Sequence, residues 1–127
     1  MQILTIAQLD KDFSVLFCEN RGFEFGGGWA RLVYDLATEI SMEAQREGIS
    51  QDSDSYPKIV QIKEKFGMLR VYMRNGTPKM FELIECAEKK SVEICERCGL
   101  PGELRGDGYL HVACDSCESR IVSGDRE

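Results

Sequence analysis

Residues 95–117 read Cys95-Glu96-Arg97-Cys98-Gly99-Leu100-Pro101-Gly102-Glu103-Leu104-Arg105-Gly106-Asp107-Gly108-Tyr109-Leu110-His111-Val112-Ala113-Cys114-Asp115-Ser116-Cys117. Two C-x2-C pairs bracket this stretch, fifteen residues apart. Such a pair aims two thiolates at one ion, and nearby backbone N–H groups stabilise the charged sulfurs. Two pairs give four thiolates, which favour a tetrahedral Zn²⁺. A redox C-x2-C site needs one pair, and an iron–sulfur cluster is the smaller rival for the same ligands. A catalytic zinc keeps a position open for water, whereas Cys95, Cys98, Cys114 and Cys117 fill the shell, so the expected role is structural. Structural zinc contributes ~10–16 kcal/mol in finger peptides, comparable with the stability of a whole domain. Loss of the ion is expected to unfold residues 95–120, and acid is expected to release it by protonating the thiolates.

Within the bracket, Gly99 relieves the tight turn of a knuckle. Gly102–Arg105 and Tyr109–Val112 flank Gly106-Asp107-Gly108 as a short hairpin, and Asp115–Ile121 reads as a short helix. Knuckle, hairpin and helix in this order describe a treble-clef or zinc-ribbon-like module, an architecture that does not by itself decide function. His111, the single histidine, faces opposite Leu110 and Val112 and reads as a surface residue or a support to the metal ligands. One histidine leaves too few parts for a catalytic triad or a His-x-Asn-x-His nuclease centre.

Upstream, Thr77-Pro78 reads as an N-cap followed by proline at the first helical position. Met80, Phe81, Leu83, Ile84 and Ala87 form an apolar stripe, so a helix is expected over 78–94, delivering the chain to Cys95. Cys86 beside that stripe, like Cys18, reads as a small buried hydrophobe. Residues 58–65 and 68–74 alternate with period two around Phe66-Gly67 and predict a β-hairpin, with Val60 and Ile62 on one apolar face and Leu69, Val71 and Met73 on the other strand's. Residues 50–57 form a loop. Trp29, Leu32, Val33, Leu36 and Ile40 predict an amphipathic helix over 28–47 that ends at Gly48, with Trp29 in the core. Gly26-Gly27-Gly28 reads as a flexible lead-in rather than an anion cradle, since it lacks the Lys-Ser/Thr of a phosphate-binding loop. Residues 1–25 are ambiguous, with a short apolar cluster at Val15, Leu16 and Phe17.

The chain has 127 residues, 43% hydrophobic and 30% charged, which is one ordinary globular core. A net charge of -6 argues against a non-specific coater of duplex DNA. The charge is uneven: residues 57–81 carry six basic and one acidic side chain, while the segments on either side are acidic. Strand periodicity places Gln61, Lys63 and Lys65 on the polar face of one strand and Arg70, Tyr72 and Arg74 on that of the next. A basic sheet face with an aromatic can hold single-stranded nucleic acid, or can pair with the protein's own acidic helices. Asp52 and Asp54 with the Lys63-Glu64-Lys65 run make a poor fit to a metal-dependent nuclease. The N-terminus lacks a secretory pattern and no stretch approaches a membrane span, so a cytoplasmic protein without membrane contact is expected.

Gly28-Trp29 opening a helix, Gln61-Ile62-Lys63-Glu64-Lys65-Phe66-Gly67-Met68-Leu69-Arg70-Val71-Tyr72, and the Cys-Gly knuckle with Pro101-Gly102 and a second metal pair follow in order over roughly residues 26–118. This order resembles a family of small uncharacterised bacterial and phage proteins. Members often end the metal site with histidine where this chain has Cys117. The resemblance carries no activity; it implies a cytoplasmic, prophage-borne accessory protein, and small acidic phage proteins often act by binding host machinery, including defence complexes.

The expected architecture is α+β: two main helices, a small antiparallel sheet, and a C-terminal zinc-ribbon/treble-clef-like module. An α+β body is expected over 1–94, with the zinc module over 95–127 packed on it as one compact domain. The leading function is a non-enzymatic, zinc-stabilised protein that docks on another protein, as a phage-encoded inhibitor where the resemblance holds. The alternatives are a nucleic-acid-binding module using Lys63, Lys65, Arg70, Tyr72 and Arg74, and a metal-dependent hydrolase.

Overall fold

The computed structural model describes residues 4–106 and 108–122; Asp107, in the turn expected between the metal-module strands, and residues 123–127 lie outside the described residues. The period-two segments form strands β2 (Lys58–Lys65) and β3 (Met68–Arg74), paired antiparallel around a two-residue loop. The register slips between Ile59 and Gln61, leaving Val60 as an extra residue. This bulge corrects the expected apolar face: Ile59 and Ile62, three apart, are the fully buried pair, and Val60 is half-buried. Beyond the bulge the alternation holds, with Leu69 and Val71 inward. A strand not foreseen in the ambiguous N-terminal stretch, β1 (Phe23–Glu24), joins the other side of β2 in parallel, giving the order β1-β2-β3. It follows a helix of seven residues, α1 (Ile6–Asp12).

A 3₁₀ turn at Gly27–Trp29 runs into α2 (Ala30–Arg46), matching the expected helix closely. Trp29, Val33, Leu36, Ile40 and Ala44 recur every three or four residues and are buried. Helix α3 (Pro78–Ser91) starts where expected, with the Thr77 hydroxyl accepting from the Met80 N–H at 3.2 Å. It ends three residues short of the expected 94: beyond Ser91 the backbone tightens to i→i−3 bonds, Glu93 N–H to the Lys90 carbonyl and Ile94 N–H to the Ser91 carbonyl, and the Ser91 hydroxyl donates to the Glu88 carbonyl at 2.6 Å. The same hydroxyl accepts from the Leu69 N–H at 3.0 Å, and the Glu88 carboxylate accepts from the Val71 N–H at 3.1 Å. Helix α3 thereby satisfies the free edge of β3 with side chains instead of another strand. The core lies between the sheet and helices α2 and α3, around Trp29, Ile40, Ile59, Ile62, Leu69 and Met80.

The C-terminal module contains β4 (Glu103–Arg105) and β5 (His111–Ala113), paired antiparallel, then α4 (Asp115–Val122). The architecture is α+β with a zinc-ribbon-like C-terminal module. Among the described residues no helix is long and apolar enough to cross a membrane.

Candidate metal centre

The end of α3 hands the chain to the first pair through Ile94, which bridges Pro101. The Cys95 N–H donates to the Leu100 carbonyl at 2.7 Å and the Gly99 N–H donates to the Cys95 carbonyl at 2.9 Å. These bonds close a knuckle whose reversal needs the positive φ of Gly99, 85°. The second pair straddles the start of α4, where the Glu118 N–H donates to the Cys114 carbonyl at 2.9 Å and the Cys117 N–H points to Cys114 Sγ at 3.4 Å.

The four Sγ atoms of Cys95, Cys98, Cys114 and Cys117 all lie within 4.8 Å of one another, so the four cysteines are placed to hold one metal ion. Cys98 Sγ and Cys114 Sγ are 3.6 Å apart. Cys95, Cys114 and Cys117 are buried, and Cys98 is open to solvent. Burial pushes the Cys95 thiol up, but the N–H groups of Cys114, Cys98 and Arg97 outweigh it and hold the thiol at about 6. The Cys117 N–H likewise holds Cys114 low, against its partial desolvation. Cys98 is pushed the other way, to about 12, by desolvation and by the crowding of neighbouring sulfurs, against the Leu100 N–H. Backbone N–H groups thus favour the thiolate at Cys95 and Cys114, the form of the side chain that ligates a cation. Arg120 adds a positive charge 3.5 Å from Cys117 Sγ.

The glycine run upstream is not a flexible lead-in. A β-carbon on Gly28 would lie 2.2 Å from the Cys95 carbonyl oxygen and 2.6 Å from the Gly99 nitrogen; one on Gly26 would lie 2.5 Å from the Glu96 carbonyl oxygen. The metal knuckle rests directly on this backbone. The Gly28 N–H donates to the Glu96 carbonyl at 2.8 Å, the Gly26 N–H to the Glu96 carboxylate at 2.8 Å, and the Trp29 indole N–H to the Ile94 carbonyl at 2.8 Å. Burial raises the Glu96 pKa, opposed by its bond from Gly26. These supporting residues were missed by sequence reasoning; the available signal was three glycines in a row at a helix start, where one would do.

His111 stays outside the sulfur cluster. Its Nε2 is 2.7 Å from the Glu118 carboxylate and its Nδ1 is 3.2 Å from the Tyr109 carbonyl. The bond to Glu118 is the main cause of its raised pKa. Cys18 and Cys86 are exposed, not buried as expected: Cys86 falls outside the Met80–Ile84–Ala87 stripe that faces the core.

The five basic-face positions do share a face. The register pairs Lys63 with Arg70, Gln61 with Tyr72 and Lys58 with Arg74. Their charges are partly met from within: Arg70 lies 3.9 Å from Glu88 and Arg74 pairs with Glu19. Lys65 Nζ sits 5.7 Å from the ring centroid of Phe66. Asp52 and Asp54 lie in the loop before β2.

Comparisons with protein-family models, with curated proteins and with solved structures find no match to this chain.

Proposed function

We propose that the protein is a non-enzymatic binding module, stabilised by one structural Zn²⁺, that docks on another protein. The observation that carries the reading is the closed sulfur shell. Four cysteine Sγ atoms within 4.8 Å of one another suit a tetrahedral thiolate site with no position left for water or substrate. Soft ligands in that geometry favour zinc over magnesium, calcium or manganese. Docking on protein is favoured over nucleic acid because Arg70 and Arg74 already face carboxylates and the chain carries a net charge of -6. The resemblance drawn from the hairpin and knuckle extends the reading to a phage-borne inhibitor of a host complex.

Metal analysis of the purified protein is expected to give one zinc per chain. Cobalt substitution is expected to give the thiolate charge-transfer band of a tetrahedral S₄ site; an empty site or an iron–sulfur spectrum would overturn the zinc assignment. A pull-down from lysate with the zinc-loaded protein, with and without nuclease, tests docking. A protein band that survives nuclease supports it. A signal that vanishes with nuclease, and with Lys63→Glu/Arg70→Glu, would move function to the basic face.

A further inference from the structure

The sulfur cluster is uneven in its exposure. Cys95, Cys117 and Cys114 are 0%, 1% and 8% exposed, whereas Cys98 stands in the exposed turn of the knuckle with Gly99 and Leu100. Coordination to a cation deprotonates a thiol outright, so all four sulfurs of the loaded site are thiolates. Access then decides which of them an oxidant in solution reaches first. Of the four, Cys98 alone is open to solvent.

A second sulfur stands beside it. Cys98 Sγ and Cys114 Sγ are 3.6 Å apart, and a disulfide requires about 2 Å, so little movement separates the pair from a covalent bond. Cys114 is the least enclosed of the other three and lies just ahead of α4 rather than inside it. Cys95 is pinned on both sides: its N–H donates to the Leu100 carbonyl at 2.7 Å and its carbonyl accepts from the Gly99 N–H at 2.9 Å. Cys117 is held within α4, with Arg120 3.5 Å from its sulfur.

We propose that Cys98 is a site of oxidative modification by hydrogen peroxide, and that its oxidation closes a Cys98–Cys114 disulfide and discharges the metal. The proposal rests on the zinc reading and adds a reactivity to one of the ligands. The Cys98 thiolate attacks one peroxide oxygen, the O–O bond breaks, and Cys98 becomes a sulfenic acid as hydroxide leaves. The Cys114 thiolate then attacks the Cys98 sulfur, the S–O bond breaks, and a second hydroxide leaves. The two thiolates lose two electrons and the peroxide gains them; two protons from solvent turn the hydroxides into water. Cys95 and Cys117 remain, two ligands where a structural zinc takes four. The loss reaches outside the module. The Trp29 indole donates to the Ile94 carbonyl, one residue before Cys95, and the Gly28 N–H donates to the Glu96 carbonyl, one residue after it, both at 2.8 Å. Trp29 is the single tryptophan and is fully buried, so its fluorescence reads the release.

The test treats the full-length, zinc-loaded protein with hydrogen peroxide in the presence of a chromophoric zinc chelator. Metal analysis beforehand keeps the two readings apart: a chain that binds no zinc overturns both, whereas bound zinc that peroxide leaves in place overturns this proposal alone. The expected result is release of the zinc, a Cys98–Cys114 bridge in the peptide map, a red shift of the Trp29 emission, and renewed zinc uptake after reduction with dithiothreitol. Cys18 and Cys86 are also exposed, so Cys18→Ser/Cys86→Ser is expected to release zinc at the parent's rate. Cys98→His keeps a zinc-ligating side chain that forms no disulfide, and is expected to release zinc at least about tenfold more slowly. Release without a bridge, a bridge within either C-x2-C pair, a bridge to Cys18 or Cys86, or release from Cys98→His at the parent's rate would overturn the proposal. If Cys98→His takes up no zinc, the bridge mapped in the parent decides.

Discussion

Replacing Gly28 by alanine adds one carbon at the place where the metal knuckle meets the start of α2. That carbon would lie 2.2 Å from the Cys95 carbonyl oxygen, 2.6 Å from the Glu96 carbonyl oxygen and 2.6 Å from the Gly99 nitrogen. All three are backbone atoms, so no side chain can rotate away, and either the knuckle lifts or the helix start shifts. Overpacking of this kind costs about 1–3 kcal/mol. Lifting the knuckle also breaks the bond from the Gly28 N–H to the Glu96 carbonyl, worth about 1 kcal/mol. The expected loss is therefore about 2–4 kcal/mol, or roughly 10 °C in Tm for a chain of this size. Gly27→Ala is the internal control: its added carbon meets nothing within 4 Å, and such a change is expected to stay within about 0.5 kcal/mol of the parent. Urea denaturation of the metal-loaded proteins reads the stability. A chromophoric chelator reads the ease of metal release, which should increase in Gly28→Ala because the clash falls on Cys95 itself. Equal stability and equal metal release in Gly27→Ala and Gly28→Ala would refute the close approach.

Three further perturbations address other parts of the fold. Ser91→Ala leaves the buried Leu69 N–H at the edge of β3 without an acceptor, and is expected to cost about 1–3 kcal/mol by urea denaturation; a neutral result would mean that the edge is not held by α3. Chelation of the metal is expected to remove a stabilisation of ~10–16 kcal/mol at the module, and Cys98→Ser part of it; in both, hydrogen exchange is expected to lose protection first across residues 95–120, before β2 and β3. Hydrogen bonding from Arg46 holds the Glu43 carboxyl below its ordinary value of 4.5, against its desolvation. A lowered folded pKa means that this stabilisation is complete above pH 4.5 and is lost as pH falls through the folded value. The stability gap between the parent and Glu43→Gln should accordingly be constant near neutrality and close in acid; a gap that widened in acid would reverse the assignment.

The parts of this fold that could be read from sequence are those settled within a few residues. The C-x2-C spacing reports a local knuckle because ligation requires it, and Cys95, Cys98, Cys114 and Cys117 do converge. The helix through Leu36 and Ile40 and the hairpin through Leu69 and Val71 follow from their periods. The bulge at Val60 escaped because a single extra residue leaves composition unchanged while reversing which side chains face inward. The exposure of Cys86 was missed because residue type was weighed above its angle around the helix. Strand β1 has two residues, too few to carry a period.

The supports of the metal site were illegible for a different reason. Gly26 meets Glu96 across 70 positions, and Trp29 meets Ile94 across 65. No local pattern reports such a pairing, because glycine there answers to a backbone that arrives only in the folded state. The consequence reaches beyond prediction. Gly26, Gly28 and Trp29 donate to residues 94–96, and the Glu96 N–H in turn donates to the Val112 carbonyl at 3.1 Å. One short segment is therefore bonded on one side to the start of α2 and on the other to the metal hairpin, with Cys95 between its ends. Any force that orders the knuckle, above all a bound ion, also acts on the start of α2 and on the strand that places His111 beside Gly67.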